Sequence, residues 1–384
     1  MRPDLVVTLT RFVALRRPFL WGWAGLATVL VLTGCASERP GPSQGGPALS
    51  PAQARQIIDQ SIPQGVSDRE GWITDIYDGF TAQKLEPSHE NVCAVVAVIE
   101  QESNFHVNPV IPGLGRVAWK EIDTRAARAG VPRILVHSAM ELRSPTGRTY
   151  SERIDAAKTE KDLSDIYEDF IGSVPLGRKL FSDWNPIRTR GPMQVNVAFA
   201  NSYAAVRPYP YPVKTSIDDE LFTRRGSVYF GIAHLFAYQA PYHDYLYRFA
   251  DFNAGQYASR NAAFQSAVSR VSGVALVTDG ALLSHESDVS STETALRKLA
   301  GRLDMSEGAI HSALEEGKGK DFERTQLYQR VFALADRAAK HPLPRALVPS
   351  INLHGPKISR KLTTSWYAHR VNGRFERCMG KGSA

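Results

Sequence analysis

Residues 91–99 read Asn-Val-Cys-Ala-Val-Val-Ala-Val-Ile, apolar on every face. A helix without a polar side must be enclosed by other elements, so the chain has to build a body around this segment. The valines also allow a strand. Glu90 and Asn91, however, read as a helix start, and Glu100-Gln101-Glu102-Ser103 as a polar last turn, which favours a buried helix. Neighbouring segments supply its cover. Ser50-Pro51 opens a helix, with serine as cap and proline at the first helical position, and Ile57, Ile58 and Ile62 share one side of it. Trp72, Ile76 and Phe80 recur at four-residue spacing. Residues 227–239 place Phe230, Ala233, His234 and Ala237 at helical intervals, and shorter helical stretches occupy 119–129, 133–142, 163–170, 246–252 and 261–271. No alternating strand pattern precedes residue 340, and no internal repeat is evident, so the expected fold is mainly α.

The length of 384 residues suggests two domains at about 150 residues each. With 43% hydrophobic and 22% charged residues, collagen-like, coiled-coil and wholly disordered classes are excluded. Three cysteines exclude a disulfide scaffold. The net charge of +7 is unevenly placed. Arg2, Arg11, Arg16 and Arg17 face Asp4 alone in residues 1–34, and nine Lys or Arg face Glu376 alone in residues 340–384, which leaves a mildly acidic body between. The basic tail suits either a solvated surface or an acidic partner.

The first 34 residues read as an address. Arg16-Arg17 precede an apolar run over 18–33, short of the roughly 20 residues a comfortable membrane span needs but suited to a signal-peptide core. The run ends Leu32-Thr33-Gly34-Cys35, which resembles a bacterial lipobox. That resemblance implies cleavage before Cys35 and lipidation of the cysteine, whose acyl chains bury at about 0.8 kcal/mol per CH₂. Ala36-Ser37 differ from the aspartate that often retains lipoproteins in the inner membrane, so the expected location is the periplasmic face of the outer membrane. The competing reading is an uncleaved anchor with an incidental cysteine. Export removes ATP and cytosolic DNA from reach. It also places Cys93 and Cys378 in an oxidising compartment, where they either pair or leave Cys93 as a buried thiol.

Residues 35–52 form a lipidated Pro/Gly/Ser linker. Residues 53–275 are the expected main domain, with an insertion at 104–190; residues 276–345 are a helical region and 346–384 a basic tail. Residues 294–316 look like a helix–turn–helix, with Leu296, Leu299, Leu303, Ile310 and Leu314 apolar and Ser306 as the second cap. Export favours a helical hairpin packed on the body over nucleic-acid binding, so no nucleic-acid partner is expected. In the tail, Asn372-Gly373 between the runs 363–371 and 374–379 predicts a β-hairpin.

Three short motifs occur in one order: Gln101-Glu102-Ser103-Asn104-Phe105, then Gly191-Pro192-Met193-Gln194, then Phe252-Asn253-Ala254-Gly255. Together they resemble the lysozyme-like lytic transglycosylases, of the soluble type related to goose-type lysozyme, which show a Glu-Ser pair, Gly-Leu-Met-Gln and Tyr-Asn-Ala-Gly. The chain as a whole also resembles a bacterial lipoprotein family of unknown function. The transglycosylase resemblance covers roughly 88–272, and within it only the motif islands. It departs at Pro192, at Phe252, and in the 87 residues separating the first two motifs, where the family has a short loop. That insertion would form a lid, a groove wall or a surface for an envelope protein partner.

The chemistry has a physical basis of its own. A glycosidic oxygen must receive a proton as an oxocarbenium-like charge develops. Glutamate in water, near 4.3, would have lost that proton, whereas a desolvated one keeps it. Glu102 follows Val95, Val98 and Ile99 on an apolar stripe at the open end of the buried helix, while its competitor Glu100 falls behind Cys93, Val96 and Ala97; burial barely separates the two, and the motif resemblance implies Glu102 as the acid. The resemblance implies that Glu102 cleaves the bond between N-acetylmuramic acid and N-acetylglucosamine with 1,6-anhydro closure. It further implies that Ser103 orients the glutamate or contacts sugar, that Met193 and Gln194 line the groove, and that Asn253 binds an acetamido group or stiffens the cleft. Peptidoglycan glycan strands would be the partner, with no cofactor; the ten histidines show no metal-ligand spacing. The rival readings are a peptidoglycan-binding outer-membrane lipoprotein that does not cut, and a hydrolytic muramidase.

Overall fold

A computed structural model describes residues 49–174, 185–284, 289–353 and 361–381. The expected signal peptide, Cys35 and the linker as far as residue 48 lie outside the described residues. From Ala48 onward the chain packs as one unit. It is mainly α: α1 Pro51–Ser61, α2 Arg69–Ala82, α3 His89–Glu102, α4 Leu114–Arg128, α5 Arg133–Met140, α6 Tyr150–Ala156, α7 Glu160–Ser173, α8 Val197–Val206, α9 Ile217–Glu220, α10 Arg224–Phe236, α11 Tyr245–Ala254, α12 Ala258–Ser272, α13 Ser291–Arg297, α14 Ala300–Leu303, α15 Glu307–Glu315, α16 Gln326–Ala339 and α17 Thr364–Lys381. Two short antiparallel pairs complete it: β1 Thr189–Arg190 with β2 Val195–Asn196, and β3 Asn352–Leu353 with β4 Leu362–Thr363.

The apolar segment is a helix and sits at the centre. Ser88 caps α3 by accepting the Asn91 N–H at 3.2 Å. Residues 92–99 are all buried, enclosed by α1, α10 and α17. Ser50 and Gln53 form the reciprocal cap of α1, at 3.3 and 2.9 Å. The α2 stripe of Trp72, Ile76 and Phe80 is buried against the same core, and Ile76 and Phe80 contribute roughly 1.5–3 kcal/mol each.

A second apolar cluster lies between α12, α13, α15 and α16. Leu296, Leu299, Leu303, Ile310 and Leu314 are all buried in it, and Ser306 caps α15 by accepting the Ala309 N–H at 3.2 Å. The insertion has its own small core around Tyr150, Ile154 and Ile166.

The tail corrects the sequence reading. Asn372-Gly373 lies inside α17 rather than at a hairpin turn, and the antiparallel pair near the C-terminus is β3–β4, one segment upstream. The reason is tertiary. Tyr367, Val371, Phe375 and Cys378 fall on one helical stripe, and α17 lays it against α3 and α11. Phe375 stacks on Tyr245 at 4.7 Å, and Cys378 forms a disulfide with Cys93 on α3. Asn372 supports the helix by donating to Glu376 four residues on, at 2.7 Å. Burial of this stripe outweighs the roughly 1 kcal/mol that a mid-helix glycine costs.

Candidate functional site

The site begins where α3 runs out of cover. Ser103 ends the helix, and its hydroxyl donates back to the Ile99 carbonyl at 3.1 Å. Asn104 and Phe105 then take left-handed backbone angles that turn the chain sharply away. Glu102, half-buried on the last turn, faces a cleft of about 800 Å³. Its carboxyl is raised from 4.5 to about 7, chiefly by desolvation and partly offset by a hydrogen bond from Tyr367. The Tyr367 hydroxyl approaches this carboxyl from α17, buried and with no hydrogen bond of ordinary geometry among the described residues. Burial and the neighbouring carboxyl push the phenol far above its usual range.

Glu100, the competing acid, is directed elsewhere. It pairs with Arg374 and Arg377 of α17 at 3.5 and 3.8 Å and does not line the cleft. Two adjacent carboxyls on one helix thus have opposite environments: one held by cations, one by apolar surroundings.

The second motif works as a turn. Gly191 joins β1 to β2 with a φ of +73°, and a Cβ there would sit 1.9 Å from the Leu221 carbonyl oxygen. Met193 is buried in the core beneath Gly231 rather than in the groove, and its N–H donates to Ser227 at 3.0 Å. Gln194 does line the cleft. Its amide is tied down: the nitrogen donates to Glu160 at 2.9 Å and to the Gly191 carbonyl at 3.2 Å, and the oxygen accepts from Thr189 at 2.8 Å. Glu160 opens α7, so the insertion braces this wall.

The third motif ends α11. Asn253 lines the cleft, and its amide oxygen accepts from Thr364 at 2.7 Å. Phe252 and Phe199 flank the His234 ring, with centroids 4.9 and 4.4 Å away. This histidine lines the cleft too; its Nδ1 is buried without a hydrogen-bond partner among the described residues, and burial lowers its pKa to about 4. Asp279 and Lys318 also line the cleft.

The structure therefore brings Glu102, Gln194 and Asn253 to one cleft, and leaves Ser103 and Met193 in supporting positions. The sequence reading missed Tyr367, hidden by the hairpin assignment, and it treated His234 as a core residue. The stripe of Tyr367, Val371 and Phe375 was the available signal for the first; the second carries no sequence signal beyond its place on an apolar helix. His89, Cys93 and Cys378 form a group of three metal-ligand types among the described residues, but the two sulfurs are bonded to each other.

Fold and cleft together define a mainly helical protein that holds a carboxylic acid at the mouth of a groove. The chain belongs to the DUF1615 family, described as proteins of unknown function, which it matches over residues 65–381. It is similar to YaiW of Escherichia coli strain K12, described as an uncharacterized protein, with 48% identity over 356 residues, 92% of this chain and 96% of that one. The family match includes the insertion and α17, so Glu102 and Tyr367 both lie within it. No solved structure matches the chain.

Proposed function

We propose that the protein is a lysozyme-like lytic transglycosylase acting on peptidoglycan glycan strands from the periplasmic face of the outer membrane. The observation that carries this reading is Glu102: a carboxyl at the end of a buried helix that opens on a cleft, where desolvation raises its pKa to about 7. In the first step it would protonate the oxygen between N-acetylmuramic acid and N-acetylglucosamine as that bond breaks. The carboxylate so formed would take the proton of the muramoyl C6 hydroxyl, whose oxygen closes on C1 to give the 1,6-anhydro ring. Atoms and charge balance, and the acid is regenerated. Tyr367 would steady the carboxylate between steps by donating to it, and Asn253, which lines the cleft, would meet an acetamido group.

Asp279, a second carboxylate in the cleft lining, favours one second reading, hydrolysis by an activated water. Digestion of purified sacculi separates the two: anhydro ends support the transglycosylase, reducing ends the muramidase. Capture of sacculi without any soluble product would leave a binding protein and end the catalytic proposal.

A further inference from the structure

The insertion carries a second feature, remote in chemistry from the cleft. Helix α5 has no fully buried residue and only its last one, Met140, packs against the insertion core, although the helix is rich in aliphatic side chains. Ile134 and Leu135 are 74% and 60% exposed, and Val131 and Leu142 flank them, also exposed. Other large exposed aliphatics among the described residues are single valines, so isoleucine and leucine are concentrated here. The surrounding segment 125–148 holds five arginines against Glu141. Arg125, Arg133 and Arg148 reach Glu121, Asp123 and Glu152 at 2.7, 3.1 and 4.0 Å, whereas Arg128 and Arg143 are exposed and pair with no carboxylate among the described residues, Arg143 donating to the Gly147 carbonyl at 2.8 Å.

We infer that α5 and its flanks are a docking surface for an anionic phospholipid bilayer. Half-buried Val136, His137 and Met140 seat the helix on the insertion, His137 stacking on Trp119 at 4.5 Å, which leaves Ile134 and Leu135 exposed and free to enter a headgroup layer. Ile134 and Leu135 would enter the interface, and the arginines would remain at phosphate level, where their long stems keep the charge wet. The charge of the patch selects the occupant: an apolar helix face alone would suit any greasy partner, but unpaired arginines beside it suit lipid phosphate. The inference does not rest on the glycan reading.

Hydrogen–deuterium exchange of the full chain tests it. Three samples are compared: protein without lipid, with phosphatidylcholine vesicles, and with phosphatidylcholine–phosphatidylglycerol vesicles. The expected result is several-fold slower exchange across 131–142 with the anionic vesicles only, reversed by high salt. It should be lost in the Ile134→Asp, Leu135→Asp double variant, whose positions are exposed and leave the fold intact. Equal exchange in all three samples, or equal protection by neutral and anionic vesicles, overturns the inference. Protection without lipid that grows with protein concentration would assign the face to a second copy and overturn it as well.

Discussion

Glu102 keeps its proton because α3 delivers it to the rim of the core, where apolar neighbours outnumber polar ones. With the folded pKa at about 7 and the unfolded value near 4.5, the native state binds this proton more tightly. Stability from this residue is therefore full below about 4.5 and is lost as pH rises to about 7, a difference of about 3 kcal/mol. His234 acts oppositely: its folded pKa near 4 against 6.5 weakens the fold as pH falls through that window. Comparing Glu102→Gln with the wild type by urea unfolding cancels the histidine. The variant should gain on the wild type between pH 5 and pH 7.5, and a constant difference would mean the carboxyl is solvated. The same variant should release anhydro-muropeptides from sacculi about 10²–10⁴-fold more slowly while its circular dichroism is unchanged. Wild-type activity should decline above about pH 7, as the acid ionises. Tyr367→Phe removes the bond that favours the carboxylate, so the alkaline limb of that profile should move to higher pH. A limb that stays in place would reduce Tyr367 to packing.

At the scale of the helix, α17 is the element on which the site depends. It carries Thr364 to Asn253, Tyr367 to Glu102 and Arg374 to Glu100, and the disulfide fixes its register against α3. The two cysteines are 285 residues apart, so the bridge closes a long loop, worth about 5 kcal/mol on a chain-entropy argument. Replacing both cysteines by serine should lower urea stability on that order. It should also depress cleavage more than the stability loss alone explains, because Tyr367 loosens. Gly373 offers a cleaner check of the helix itself. A Cβ there meets nothing closer than the tip of Arg377 at 3.9 Å, so Gly373→Ala should stabilise by about 0.5–1 kcal/mol. A β-turn at Asn372-Gly373 would respond with destabilisation.

The whole molecule is organised around one buried helix, with the insertion on one side and a second helical cluster on the other. Both reach the cleft: the insertion through Glu160 behind Gln194, the second cluster through Asp279 and Lys318. This explains how a chain with a long insertion between its motifs can still assemble one groove. If the lipobox reading is right, the body works at a membrane surface. Growth with a labelled fatty acid should then mark the wild-type protein and leave Cys35→Ser unmarked; label retained by that variant would exclude Cys35 as the anchor point.

The sequence by itself determined the helical class, the buried α3 and the caps at Ser50 and Ser306. Each follows from local spacing, since a 3.6-residue stripe or a capping side chain acts within a few positions. Only the tertiary structure decided the fate of Asn372-Gly373, the pairing of Cys93 with Cys378, and the separation of Glu100 from Glu102. Those outcomes depend on what packs across from each residue, and α17 reaches α3 from the opposite end of the chain. A strong local turn signal yielded there to burial and a covalent link that no short window of sequence contains.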